Sequence, residues 1–245
     1  AGSGIGRALA LELAQAGCHL ALSGRSQAGL DETVAMVRRR KRLKVTATVV
    51  DVADRQAVYA WADQVVAEHG RCNLIFNNAG VAHGTTIESV SYGDFEWLMN
   101  INFWGVVYGT KAFLPYLRTS GDGHVVNISS IAGLIALPSQ GTYTAAKFAV
   151  RGFTEALREE LELARAPVSA TCVHPGGVKT NIAKSARVDS SATAFGVPDE
   201  EAGRALFETL ISTTTAASAA KTILRGVQRN APRVLIGPDA YATDG

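Results

Sequence analysis

The chain has 245 residues, of which 47% are hydrophobic and 19% charged, a composition that is ordinary for one large α/β domain or two smaller domains. Its net charge of +2 is too small to indicate a nucleic-acid-binding protein, and no apolar run reaches the ~18 residues that a membrane span needs. The three cysteines, Cys18, Cys72 and Cys172, are far apart, which argues against a disulfide framework and a metal site and favours a reducing, cytoplasmic location.

The chain begins with a glycine-rich segment, Ala-Gly-Ser-Gly-Ile-Gly over residues 1–6, which leads into an apolar helix predicted for Arg7 to Ala16. Leu9 and Leu13 are four residues apart and therefore share one helix face. A glycine-rich turn at a helix N-terminus lets backbone N–H groups approach a phosphate, and the helix dipole adds to the attraction. The alternative is a helix start that is glycine-rich by chance.

The next predicted strand, His19 to Ser23, ends at Gly24-Arg25-Ser26, and this end bears on the choice of cofactor. In a doubly wound sheet, an acidic residue here binds the ribose hydroxyls of NAD, whereas a basic residue accommodates the 2′-phosphate of NADP. Gly24 stands where the acid is expected, Arg25 supplies a cation and Ser26 a hydroxyl donor. The segment predicts NADP(H) in preference to NAD(H), and a merely solvated arginine is the alternative.

A basic run, residues 38–42, follows a helix predicted for Leu30 to Val37. Such a run is found in nucleic-acid patches, but cations at a helix C-terminus also complement the dipole. In a doubly wound fold this helix end lies opposite the cofactor. We therefore interpret the run as a solvated helix end and expect no nucleic-acid partner.

Predicted strands and helices alternate along the rest of the chain, with strands at 45–50, 74–76, 124–128, 167–173 and 233–236 and helices at 55–68, 94–117, 141–163, 200–211 and 217–228. This order favours parallel strands joined by right-handed crossovers. We predict one domain over residues 1–245, an α/β Rossmann-type doubly wound parallel sheet with helices on both faces.

One stretch, residues 127–147, carries three side chains suited to proton transfer. Tyr143 and Lys147 are four residues apart, so on a helix they lie one turn apart on the same face. A phenol has a pKa of about 10, and a neighbouring cation is expected to lower it. Ser130 follows a buried strand, where its hydroxyl can meet a substrate oxygen. By itself the Tyr-x-x-x-Lys pair could equally be a surface pair on an amphipathic helix.

Taken with other motifs, this stretch resembles the short-chain dehydrogenase/reductase family of roughly 250-residue, single-domain enzymes. Asn77-Asn78-Ala79-Gly80 matches a family motif without change, and residues 175–180 complete the pattern Pro-Gly-x-Val-x-Thr. Of the family's Thr-Gly-x-x-x-Gly-x-Gly, this sequence retains Gly4 and Gly6. The leading Thr-Gly and the strand before it are missing, so we expect the natural chain to extend upstream of Ala1 and beyond residue 245.

The resemblance implies hydride transfer between NADP(H) and a carbonyl or secondary alcohol. Tyr143 is expected to act as general acid/base, Lys147 to lower its pKa and bind the nicotinamide ribose, and Ser130 to position the substrate oxygen. Asn102 is expected to bend its helix and anchor a water. The expected cofactor-binding residues are Gly2, Ser3, Gly4, Ile5, Gly6, Arg25, Ser26, Asp51, Val52, Asn78, Ala79, Gly80, Tyr143, Lys147, Pro175, Gly176, Val178 and Thr180.

The substrate is expected to meet Ser130, Ile131, Leu137, Gln140, Tyr143 and Gly177, and the pocket is expected to include His83 and residues of the segment 181–197 as well. This mostly apolar set indicates a neutral, partly hydrophobic carbonyl or secondary alcohol. The polar segment 181–197 is interpreted as a substrate lid or as a disordered connector.

Three further expectations complete the sequence-based interpretation. The carboxylates and histidines show no metal-type spacing, so no metal is expected. The helices at 94–118 and 141–163 are expected to form a homodimer or homotetramer, as in relatives. The rival interpretation of the whole chain is a non-catalytic NADP(H)-binding regulatory module.

Overall fold

The structure is a computed structural model that describes residues 1–39, 43–183, 185–189, 191, 199, 201–202, 205 and 214–243. The strands in these ranges are β1 (Leu20–Gly24), β2 (Val45–Val49), β3 (Leu74–Asn77), β4 (His83–Gly84), β5 (Gly123–Ile128), β6 (Val168–Pro175), β7 (Val178–Lys179), β8 (Arg187–Val188), β9 (Thr214–Thr215) and β10 (Arg233–Ile236). The helices are α1 (Gly4–Gln15), α2 (Gln27–Arg38), α3 (Arg55–His69), α4 (Tyr92–Met99), α5 (Gly105–Ser120), α6 (Gly141–Leu163), α7 (Ala216–Gln228) and α8 (Pro238–Ala242).

All pairings between the described strands are parallel. The largest ladder has the order β10-β6-β5-β3, and β1 pairs with β2 beside it. Parallel neighbours require crossover connections, and the helices between successive strands supply them. The predicted α/β Rossmann-type doubly wound sheet is confirmed.

Strand β5 is buried along its whole length, and its side chains alternate between two helix layers. Val125 packs in a cluster with residues of α3, α5 and α6, including Phe113 and Leu161. Its neighbour Val126 packs on the other face with residues of α1 and α7, including Leu9 and Ile223. Burying each such side chain contributes about 1.5–3 kcal/mol, so both layers are held on the sheet by the strand that ends at the site.

Between β1 and β3 the structure has a slot lined with apolar side chains, among them Leu22, Ile75 and Phe113, and the two ladders do not pair across it.

Several element boundaries differ from the sequence-based prediction; α1 and α2, for example, begin at Gly4 and Gln27, three residues earlier than predicted. The single helix predicted for 94–117 is α4 and α5 joined by a π-helical turn, Asn100–Trp104. Strand β6 runs two residues further than predicted, because its pairing with β10 continues to Pro175 opposite Ile236.

Parts of three other predictions lie outside the described residues. These are most of the helix at 200–211, residues 40–42 of the basic run and most of the lid after residue 191.

Candidate active site

A cavity opens at the carboxyl ends of β1, β3, β5 and β6 and is continuous with the slot between β1 and β3. Its lining includes every residue that the sequence analysis assigns to the cofactor and to the substrate, except His83. Of the four expected catalytic residues, Ser130, Tyr143 and Lys147 line it, whereas Asn102 lies behind the wall. Ligands of open α/β sheets bind outside the carboxyl ends of the strands, so this cavity is the candidate site.

Ser130 lies directly after β5 and caps a short 3₁₀ turn, Ile131–Gly133. Its hydroxyl oxygen accepts a hydrogen bond from the Ala132 N–H at 3.2 Å and lies 3.5 Å from the Pro175 carbonyl oxygen. The side chain is therefore held between the end of β5 and the end of β6. Ser130 also lines the cavity.

Tyr143 and Lys147 lie in the first two turns of α6, which begins at Gly141 as predicted. The Lys147 Nζ atom is 5.5 Å from the centre of the Tyr143 ring and donates to the Ile128 carbonyl oxygen at 2.9 Å. Only 8% of Tyr143 and 4% of Lys147 are exposed to solvent. The pair thus lies at the buried end of the cavity, beside the last residues of β5.

Burial dominates the titration of both groups. It raises the pKa of Tyr143, against the opposing effect of a hydrogen bond with Ser130. It lowers the pKa of Lys147 from 10.5 to about 8. The expected lowering of the tyrosine pKa by Lys147 is therefore not found in this structure, because loss of hydration disfavours the charged form of each group.

Asn102 is fully buried within the π-helical turn, and its amide is engaged on both sides by one residue. Its Oδ1 accepts from the Val81 N–H at 2.8 Å, and its Nδ2 donates to the Val81 carbonyl oxygen at 2.8 Å. The side chain thereby ties the helix to the segment that follows Asn77-Asn78-Ala79-Gly80. Its expected role in anchoring a water stays a prediction.

The glycine-rich start of α1 forms a close-fitting cradle. Gly4 has φ +55°, and a Cβ atom there would lie 3.2 Å from the Thr180 methyl carbon. A Cβ atom on Gly6 would lie 3.0 Å from the Asn78 Nδ2 atom. Three segments that the resemblance assigns to the cofactor therefore meet at one helix N-terminus, an arrangement that fits a dinucleotide pyrophosphate.

The far end of the cavity carries Arg25 and Ser26 between β1 and α2. Ser26 caps α2, since its hydroxyl oxygen accepts from the Gly29 N–H at 3.2 Å, and its hydroxyl hydrogen remains free to donate. Arg25 is exposed and forms no ion pair with any described residue. The guanidinium is thus available to a phosphate.

The described beginning of the predicted lid is docked on the body of the protein. Strand β8 pairs with β4, and Arg187 stacks on Trp97 at 3.7 Å and contacts Asp94 at 2.6 Å. The predicted place of His83 in the pocket is wrong. It is buried in β4, with its ring 6.5 Å from that of Trp97 and outside the cavity lining, because the pairing with β8 covers it.

Asn181, Ile182 and Ser185, at the start of the segment that was expected to contribute to the substrate pocket, line the cavity. Asp239, in the first turn of α8, also lines it, although Gly237-Pro238-Asp239 reads in the sequence as an ordinary helix start. The sequence feature that could have indicated this residue is its position: Asp239 is an acidic residue shortly after the last predicted strand.

Within the described ranges, no group of three or more His, Cys, Asp or Glu side chains could hold a metal ion. None of the helices in those ranges is long and apolar enough to cross a membrane.

The sequence model of a family described as short chain dehydrogenase matches residues 1–191. The chain belongs to the short-chain dehydrogenase family. It is 48% identical over 244 residues to the oxidoreductase SadH of Mycobacterium tuberculosis, an alignment that covers 100% of this chain and 86% of SadH.

Two further relatives support this membership. A short-chain dehydrogenase/reductase from Burkholderia phymatum, solved in complex with NAD, superposes with a TM-score of 0.90 at 29% identity, over 99% of this chain and 88% of that one. A 3-ketodihydrosphingosine reductase of Bacteroides thetaiotaomicron is 41% identical over 137 residues, which are 56% of this chain and 50% of that protein.

Membership in the short-chain dehydrogenase family fixes the reaction class. The protein is an NAD(P)-dependent oxidoreductase that transfers hydride between the nicotinamide cofactor and a C=O or CH–OH group of a small molecule.

Proposed function

We propose that the protein is an NADP(H)-dependent oxidoreductase for a neutral, partly apolar carbonyl or secondary alcohol, with Tyr143 as general acid/base. The observation that carries the proposal is the convergence of Ser130, Tyr143 and Lys147 at the buried end of the cavity. The rest of the cavity runs along the glycine-rich start of α1 to Arg25 and Ser26, which supports a dinucleotide cofactor.

In the reducing direction, bound NADPH supplies a hydride to the carbonyl carbon. The Tyr143 hydroxyl donates its proton to the carbonyl oxygen as the C=O π bond breaks, which yields the alcohol. The Ser130 hydroxyl donates a hydrogen bond to the same oxygen and stabilises its developing charge. Lys147, held by the Ile128 carbonyl, lies where its ammonium favours the phenolate that remains and can bind the nicotinamide ribose.

A phenol holds its proton near neutral pH, so Tyr143 can act as the acid, although burial, which raises its pKa, makes it a weaker proton donor. In the oxidising direction the phenolate must form before it can accept a proton. The positive charge of an oxidised nicotinamide beside the ring favours that phenolate.

Arg25 supports the preference for NADP(H). It is exposed at the cavity rim, without an ion pair among the described residues, and Gly24 stands where an acid would repel the 2′-phosphate. The structure of the Burkholderia relative contains NAD, which is evidence about the cofactor site of that protein alone.

The apolar side chains Ile131, Leu137 and Ile182 line the cavity and support a partly hydrophobic substrate, while Gln140 adds an uncharged polar group. The 3-ketodihydrosphingosine reductase relative is named for a ketone, which agrees with a carbonyl substrate.

The proposal extends to the organisation of the protein. We expect residues 1–245 to form one catalytic domain, with 181–197 as its lid. Exposed Trp104 and Phe148, on the π-helical turn before α5 and on α6, support a homodimer or homotetramer through these helices. The three free cysteines support a reducing, cytoplasmic location.

The proposed function is tested by following NADPH consumption by absorbance across a panel of ketones, aldehydes and quinones. Turnover of neutral carbonyls, faster with NADPH than with NADH, is expected. Tight NADPH binding with no turnover across the whole panel would favour the non-catalytic regulatory module instead.

A further inference from the structure

Asp239 touches the turn at residues 175–180, although 62 residues separate it from Gly177. Its Oδ2 atom accepts a hydrogen bond from the Gly177 N–H at 2.6 Å. Hydrogen bonds to a carboxylate are shorter and roughly twice as strong as neutral ones. The bond therefore fixes the backbone in the middle of the turn.

Two glycines leave the space that this carboxylate occupies. A Cβ atom on Gly176 would lie 2.2 Å from the Asp239 Oδ1 atom, and one on Gly237 would lie 2.5 Å from it. Real Cβ atoms do not approach other atoms within 3.0 Å, so a side chain at either position would displace the carboxylate. The contact thus depends on both the turn and the end of β10.

Backbone hydrogen bonds hold the same turn from two other directions. The Gly176 N–H donates to the Ile236 carbonyl oxygen at 2.8 Å, and the Thr214 N–H donates to the Gly177 carbonyl oxygen at 2.9 Å. The Asp239 Oδ1 atom, in contrast, is buried without a hydrogen-bond partner among the described residues. An unpaired buried acceptor costs free energy, which indicates that the carboxylate is placed for the turn rather than for the stability of α8.

The turn occupies the catalytic end of the cavity. Its first residue, Pro175, has its carbonyl oxygen 3.5 Å from the Ser130 hydroxyl. Its last residue, Thr180, lies against Gly4 at the start of α1. A cofactor whose reacting carbon meets the substrate beside Ser130 and Tyr143 must therefore lay its nicotinamide end along this turn.

We propose that Asp239 is a positioning residue which, through Gly177, holds the turn at 175–180 in the shape that binds the nicotinamide end of the cofactor. The inference rests on the proposed function and deepens it, because it concerns the same site.

The test compares two ligands on the folded protein. NADPH occupies both ends of the cavity, whereas adenosine 2′,5′-bisphosphate has only the half that would meet Arg25. Asp239→Ala is expected to raise the Kd of NADPH about 10-fold, equivalent to ~1.4 kcal/mol, and to leave the Kd of the bisphosphate unchanged. Asp239→Asn retains an acceptor oxygen for Gly177 and should stay within about 3-fold of the wild type for NADPH.

Thr243→Ala is the matched control. The Thr243 hydroxyl bonds to the carbonyl oxygens of Asp239 and Ala240 at 3.2 and 3.1 Å, at the opposite end of α8. Its loss loosens that helix without touching the turn, so neither Kd should change. Asp239→Ser, whose shorter side chain cannot extend as far toward the Gly177 N–H, should reproduce the selective loss of NADPH binding and serves if Asp239→Ala does not fold.

An equal loss of both ligands in Asp239→Ala, or the same loss in Thr243→Ala, would overturn the proposal. If the protein prefers NAD, then NADH and AMP replace the two ligands. None of these titrations needs turnover, so the failure of this inference is distinguishable from the failure of the proposed reaction.

Discussion

The two ends of the cavity are built in opposite ways. At the catalytic end, Ser130, Tyr143 and Lys147 are each at most 8% exposed, and Ser130 and Lys147 bond to backbone atoms near the ends of β5 and β6. At the other end, Arg25 is exposed and forms no ion pair within the described part of the chain. Proton transfer needs fixed distances and a dry environment, whereas discrimination between two cofactors needs only one charge within reach of a phosphate.

This difference predicts unequal sensitivity to mutation. Changes at the catalytic end alter reaction rate and folding stability together, since the reacting groups are also buried structural groups. Changes at the far end alter only the affinity for one cofactor.

The largest effect is expected for Tyr143→Phe, which removes the proton donor and retains most of the packing. Turnover should fall about 10²–10⁴-fold, the usual contribution of a general acid/base, with an unchanged Kd for NADPH. Tyr92→Phe changes a tyrosine that is 90% exposed and should have no effect. Retained turnover in Tyr143→Phe would assign proton donation to another group.

Asn102→Ala is expected to destabilise the fold. It leaves the N–H and carbonyl of Val81 without their partners in a buried place, and each such group costs about 1–3 kcal/mol. A loss of about 4 kcal/mol in the free energy of unfolding should appear in urea titrations. Asn73→Ala removes an exposed amide that bonds to the Asp122 carbonyl and should cost far less. Equal losses of unfolding free energy in Asn102→Ala and Asn73→Ala would show that the hydrogen bonds between Asn102 and Val81 do not add to stability.

Lys147→Met is expected to abolish turnover and to change how the stability of the protein purified without cofactor depends on pH. Burial lowers the pKa of Lys147 in the folded state to about 8, below its usual 10.5. Between these values the unfolded chain binds more protons, so the wild type gains stability as the pH rises from 8 to 10.5. Relative to the wild type, Lys147→Met should therefore lose about 3 kcal/mol of stability as the pH rises from 8 to 10.5, with no further change in the difference below pH 8.

Melting temperatures measured across this pH range check that prediction. Lys221→Met, which alters an exposed lysine of α7, should show no such pH dependence. A constant difference between Lys147→Met and the wild type would mean that the buried lysine keeps its ordinary pKa.

The smallest effect is expected at the far end. Arg25→Ala should raise the Kd of NADPH about 10-fold and leave that of NADH unchanged, because only the 2′-phosphate loses a partner. Arg229→Ala, at the end of α7 and outside the cavity lining, is the matched control. An equal loss for NADPH and NADH would place Arg25 on a part common to both cofactors.

The sequence was most informative where spacing translates directly into geometry. The four-residue offset of Tyr143 and Lys147 predicts their common helix face, and alternation of strands and helices predicts the parallel sheet. Contacts between distant segments could not be read in this way. The bond from Gly177 to Asp239 joins residues 62 positions apart, and His83 is covered by a two-residue strand too short to leave a pattern.

The direction in which the Tyr143 pKa shifts could not be predicted from the sequence either. The spacing shows that a cation lies near the phenol, but it does not show that both groups are withdrawn from water. Burial depends on how α6 packs against β5 and β6, which is a property of the whole fold.

The π-helical turn at Asn100–Trp104 is, in effect, one extra residue inserted into an otherwise continuous helix. Each residue of an α-helix advances the chain by 100° about its axis. Deleting one residue of this turn would restore regular winding and rotate either Asn102 away from Val81 or the whole of α5 away from the sheet. The number of residues in this helical region therefore cannot change even by one. Homologous chains should tolerate substitutions here far better than insertions or deletions.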